Sequence, residues 1–83
     1  MKVAQIKIVI LQALKDSHPY MLQETTLFAE VNLRSAEAVT MTEFRTTLQE
    51  LETNRRILCV RDEDKHLKWK ITDNGLARLA ELV

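Results

Sequence analysis

Residues 51–79, LETNRRILCVRDEDKHLKWKITDNGLARL, change period twice, and those changes set the fold. Up to Thr53 the apolar residues fall at helical spacing. After Asn54 they alternate: Leu58 and Val60 with Cys59 and Arg61, then Leu67, Trp69 and Ile71 with His66, Lys68 and Lys70. Successive side chains of a strand point to opposite faces, so the alternation predicts two strands, with the apolar set inward and Arg61, Lys68 and Lys70 directed away from it. Residues 62–65 are polar and lack glycine, which predicts a looser connection than a two-residue turn. Thr72 then supplies a capping hydroxyl for a last helix, with Leu76, Leu79, Ala80 and Val83 expected on its inner face.

Working outward toward the N-terminus, Thr40 and Glu43 form a capping-box pattern, in which hydroxyl and carboxylate each take an otherwise free amide at a helix start. A helix over about 40–54 is expected there, with Met41, Phe44, Leu48 and Leu51 inward and Thr42, Thr46, Gln49 and Thr53 opposite. Residues 32–39 read as a long connection, or as one with an added helical turn at 35–38. Before it, a helix over about 24–32 is expected to bury Leu27, Phe28 and Val31, after a short extended piece at 20–22. Residues 2–16 predict the first helix, with Ile6, Val9, Ile10, Ala13 and Leu14 on the core face and a stop at Pro19, which lacks an amide donor. Ala4, Ile8 and Leu11 make a second, narrower apolar stripe, and together with Leu82 form a candidate homodimer surface.

Composition excludes several classes. A chain of 83 residues has room for one domain, taken here as 1–83. One cysteine, Cys59, leaves no intramolecular disulfide and fits a reducing, cytoplasmic setting. The apolar run 8–11, which no other run exceeds, falls far short of the ~20 residues that cross a bilayer, so no membrane partner is expected. Lys7 and Gln12 bracket that run and Lys15 and Asp16 follow it, which disfavours a secretory signal. Cys59, His18 and His66 lack ligand-pair spacing, and residues 62–64 lack the glycine and distant glutamate of a calcium loop, so no metal is expected. No phosphate-binding glycine loop and no nucleophile with a base motif is present, so neither a cofactor nor an enzymatic activity is expected. Trp69 alternates in phase with Leu67 and Ile71 and is expected in the core, which leaves no exposed aromatic platform for single strands.

Two motifs carry a family resemblance. Residues 51–57 are similar to a leucine-x-x-x-glycine-x-isoleucine lead-in to a wing, and residues 69–79 to an aromatic-x-leucine-threonine-x-x-glycine exit. Three helices, a two-stranded wing and a closing helix in this order resemble the winged helix-turn-helix domains of bacterial transcriptional regulators of the MarR and PadR kind. The resemblance spans nearly the whole chain and implies a mainly α fold with a small β-hairpin. It departs at Arg55, which stands at the glycine position, so that either Asn54 or Arg55 must take the left-handed turn, the latter at a cost of about 1 kcal/mol. It departs also in the long connection before the third helix.

The resemblance implies double-stranded DNA as partner. The third helix would then lie in the major groove with Thr42, Arg45, Thr46 and Gln49 outward, and the wing, about 57–71, would place Arg61, Lys68 and Lys70 on phosphates. Charge divides the two elements. On the third helix Glu43, Glu50 and Glu52 outnumber Arg45, whereas over residues 55–70 six bases, Arg55, Arg56, Arg61, Lys65, Lys68 and Lys70, face three acids, Asp62, Glu63 and Asp64. Because the formal net charge is zero, a second expectation stands beside DNA binding: a protein-interaction module of the same architecture.

Overall fold

The computed structural model describes residues 3–82, apart from the side chain of Val3. Helix α1 (Val3–Ser17) leads through strand β1 (Leu22–Gln23) to α2 (Glu24–Arg34) and α3 (Met41–Thr53). A hairpin of β2 (Ile57–Arg61) and β3 (Leu67–Ile71) follows, and α4 (Asp73–Leu82) closes the described chain. The molecule is mainly helical with one small antiparallel sheet. That sheet has three strands in the order β1-β3-β2, not the two expected. The extra strand, β1, is too short to show alternation in sequence, and it exists only through its pairing with β3, Leu22 opposite Trp69 and Gln23 opposite Lys68.

Helix α1 packs against α2, α3, α4 and β3, so its apolar face becomes the centre of the core. Ile6, Ile10 and Leu14 are fully buried there with Leu27 and Val31 of α2, Phe44 and Leu48 of α3, and Ile71 of β3. Removing these side chains from water is the main favourable contribution to folding. The rings of Phe28 and Phe44 meet at 5.1 Å between centroids, tilted by 56°. Trp69 is buried as expected, and its indole Nε1 has no hydrogen-bond partner among the described residues. Leu11 departs from its assignment to a surface stripe: its side chain is fully buried, because α1 is covered on several sides. Ala80 is exposed, contrary to expectation, and Val83 lies outside the described residues.

The connection before α3 is ordered by one side chain and has no added helical turn at 35–38. Asn32 Oδ1 accepts from the Val39 amide at 2.7 Å, and Asn32 Nδ2 donates to the carbonyls of Phe28 and Val39. Val39 is thereby drawn into the core. The expected capping box is formed: Thr40 Oγ1 accepts from the Glu43 amide at 3.1 Å, and Glu43 Oε1 accepts from the Thr40 amide at 3.1 Å.

At the other end of α3, Arg55 takes the left-handed turn, with φ of 59°, and Asn54 does not, with φ of −86°. The Arg56 amide donates to the Leu51 carbonyl and the Arg55 amide to the Glu52 carbonyl, both at 2.9 Å, the paired bonds of a Schellman stop. The Arg56 carbonyl then becomes a junction. It accepts from the Thr72 amide at 3.1 Å and the Thr72 hydroxyl at 2.9 Å, while Thr72 Oγ1 caps α4 by accepting from the Gly75 amide at 3.0 Å. A Cβ on Gly75 would stand 2.0 Å from that same carbonyl oxygen and 2.7 Å from Ile71 Cγ1, so only glycine admits this approach.

The register of the hairpin corrects the expected phase of β2. Ile57 lies opposite Ile71 and Cys59 opposite Trp69, so these two face the core. Leu58 and Val60 lie opposite Lys70 and Lys68 and are 47% and 41% exposed. The run 57–60 is apolar at every position, so its sequence could be read in either phase, and pairing with β3 decides between them.

Candidate nucleic-acid interface

Thr42, Arg45, Thr46 and Gln49 follow one another at helical spacing and are all exposed on α3. The capping box holds the N-terminus of that helix, and the buried side chains Phe44, Thr47, Leu48 and Leu51 fix which face is presented. Thr47 had no assignment from the sequence. Its hydroxyl is satisfied by the Glu43 carbonyl at 2.7 Å, which allows its burial.

Two of the three acids of α3 are engaged by the chain itself. Glu43 is held in the cap, where the Thr40 amide and then its hydroxyl keep the carboxyl below its ordinary range. Glu50 turns to α1 and meets Lys7 Nζ at 2.6 Å. Of the three, only Glu52 remains toward the hairpin.

A concavity of about 360 Å³ separates α3 from the hairpin, floored by Leu48, Leu67, Trp69 and Cys59. Arg45, Gln49 and Arg61 line it, together with Glu24 and Glu52. Glu24 Oε2 stands 3.8 Å from Arg45 Nη2, a distance at which the guanidinium is attracted yet free to reorient. Burial, and then the carboxylates of Glu52 and Glu24, push the Cys59 thiol above its usual range. Sequence reasoning did not find Glu24 as part of this site, since it belongs to the first turn of α2 and nothing local points it toward α3.

The three hairpin bases Arg61, Lys68 and Lys70 do not share a face. Arg61 lies opposite Leu67, on the side of the sheet that carries Cys59 and Trp69, whereas Lys68 and Lys70 are opposite Val60 and Leu58 on the other side. The expectation that all three point away from the apolar face is therefore corrected. The cause is the phase of β2, which carries Arg61 inward with Cys59. Lys68 Nζ stands 3.8 Å from Asp62 Oδ2, and Lys70 makes no ion pair among the described residues.

At the hairpin tip, Asp62 Oδ1 accepts from the amides of Asp64 at 3.0 Å and His66 at 2.9 Å, and these bonds, the His66 amide foremost, hold the carboxyl below its ordinary range. Lys65 completes the turn with φ of 64°. Ligand atoms of Asp62, Asp64 and His66 come within 4.8 Å of one another, a grouping able to hold a cation that the sequence spacing did not suggest. The amides and Lys68 already occupy much of the Asp62 carboxylate.

Of the expected homodimer surface, Ala4, Ile8, Leu11 and Leu82 do come together. They line a groove of about 210 Å³ between α1 and α4, with Leu11 at its floor. No helix among the described residues is long and apolar enough to cross a membrane. Comparison with protein-family profiles finds no match, and comparison with curated proteins finds none either.

Proposed function

We propose that this chain is a winged-helix DNA-binding protein that regulates transcription, with α3 in the major groove and the hairpin along the phosphate backbone. The observation that carries the proposal is the exposed stripe of Thr42, Arg45, Thr46 and Gln49, from which Glu43 and Glu50 are withdrawn by the chain's own cap and by Lys7. Lys7 offsets the charge of Glu50, so part of the repulsion that the sequence suggested between α3 and phosphate is reduced. The order of three helices, hairpin and closing helix supports the same reading, as does the concavity that sets Arg45 and Gln49 across from Arg61.

The residues divide by role. Arg45 and Gln49 carry the donor patterns that read guanine and adenine edges, while Lys68 and Lys70 act as point charges toward phosphate. Arg61 approaches from the α3 side of the wing and so belongs with Arg45 rather than with the lysines. In a selection from a random duplex pool, Arg45→Ala is expected to relax base preference, costing about 1–3 kcal/mol on the preferred sequence. Lys68→Ala is expected to weaken all duplexes alike. Equal effects of both substitutions on every sequence would contradict these roles.

A second reading, a protein-interaction module without DNA binding, is favoured by one observation: Leu58 and Val60 stand exposed on the wing beside Lys70 and Lys68. Failure to bind any duplex at low salt would leave that reading in place.

A further inference from the structure

We propose that the groove between α1 and α4 is a docking site for an acidic amphipathic helix of a partner protein. Its floor is wholly apolar, built from Ala4, Ile8, Leu11, Leu51 and Leu82. Every charged side chain that lines it is a cation: Lys7, Arg56 and Arg78. In a chain with as many acids as bases, a lining with three cations and no carboxylate is a local departure from balance. An apolar slot ringed by one sign of charge selects a partner that carries apolar anchors flanked by the opposite sign.

The three cations differ in their commitments. Lys7 is held by Glu50 at 2.6 Å and Arg78 by Glu81 at 3.0 Å, so a partner carboxylate must compete for them at the rim. The Arg56 guanidinium donates to the neutral side chain of Asn74, which leaves its charge without a counter-ion among the described residues. Arg56 is therefore the anchor for the first partner carboxylate. A volume of about 210 Å³ suits one or two apolar side chains, the number that a helix presents at i and i+3 or i+4.

A second copy of the chain fits this groove less well. A two-fold contact would bring the lining cations toward their own copies, and Arg56, which has no counter-ion among the described residues, would find no carboxylate in the lining to answer it. The groove is also separate from the α3 stripe, since Leu51 and Asn54 contribute to it and Thr42, Arg45, Thr46 and Gln49 do not. Docking here thus leaves the proposed DNA surface open, and the inference does not rest on the DNA reading.

The test is an amide-shift titration of the whole, isotope-labelled chain with a synthetic helical peptide that has leucines at i, i+4 and i+7 and glutamates elsewhere. A counterpart with lysine in place of each glutamate serves as control. The expected result is shifts confined to α1, α4 and residues 51–56, with the acidic peptide bound at least about tenfold more tightly than the lysine counterpart. The double variant Arg56→Gln, Arg78→Gln should lose about tenfold in affinity while its spectrum remains that of the folded protein. Leu82→Glu, which places a carboxylate in the groove and leaves the arginines intact, should block the acidic peptide. No shifts, shifts elsewhere, or equal binding of the two peptides would overturn the proposal. Concentration-dependent shifts of these amides without peptide would also overturn it, by giving the groove to a second copy.

Discussion

Two residues at one junction make opposite demands on the backbone. Arg55 occupies the left-handed region with φ of 59°, where its Cβ meets the following carbonyl. Replacing it with glycine removes that strain of about 1 kcal/mol, and after the roughly 0.4–1 kcal/mol by which a freer unfolded chain opposes folding the net gain is about 0.5 kcal/mol at most. At about 4–8 °C per kcal/mol for a domain of this size, Arg55→Gly should raise the melting temperature by a few degrees at most. Gly75 lies on the other side of the Arg56 carbonyl, and a methyl group there would overlap the oxygen at 2.0 Å. Gly75→Ala should therefore destabilise by about 1–3 kcal/mol despite alanine's better helix propensity. Thermal melts of the two variants check both signs; a stabilising alanine at 75 would mean that the junction is looser than described. Only one of these residues was legible beforehand. The lone glycine announces a close approach, whereas whether Asn54 or Arg55 would take the turn depends on where α3 stops, and that is set by packing.

Helix α3 is the element whose start is written most plainly in the sequence. The Thr40–Glu43 cap is local, so four consecutive residues contain all of it. Its carboxylate also ties stability to acidity. The Glu43 carboxyl is held below its ordinary range when folded, so the stabilisation is complete above the unfolded value of about 4.3 and is lost as pH falls through the lower folded value. Asp62 at the hairpin tip acts in the same sense. Urea midpoints should fall between about pH 5 and pH 2.5, and Glu43→Gln, which keeps an acceptor but does not titrate there, should fall less steeply. Equal slopes for the variant and the parent would remove the cap from this account. Strand β2 is the contrary case. All four residues of 57–60 are apolar, so periodicity alone had no means of choosing a face, and the choice falls to a register with β3 that no local signal encodes. The error in Arg61 follows from that phase. The stripe on α3 was readable because a single helix fixes its own faces, while Glu24 beside Arg45 was not, being brought there only by the packing of α2.

For the whole molecule, a formal net charge of zero need not oppose DNA binding if the charges are sorted in space. Glu43 and Glu50 are spent on a cap and on α1, the lysines of β3 point to one side of the sheet, and Arg45 and Arg61 share a concavity on the other. The cation-ringed groove between α1 and α4 is a second concentration of positive charge, apart from the α3 stripe. In the proposed complex the phosphate contacts fall to the α3 and hairpin bases. Binding of a labelled duplex, followed by fluorescence anisotropy from about 50 to 200 mM salt, tests this assignment most directly. With about three phosphate contacts, the slope of log affinity against log salt should be near −2.7, a loss of about 40-fold over that range. Affinity that is absent at the lowest salt, or that does not change across the range, would contradict the assignment.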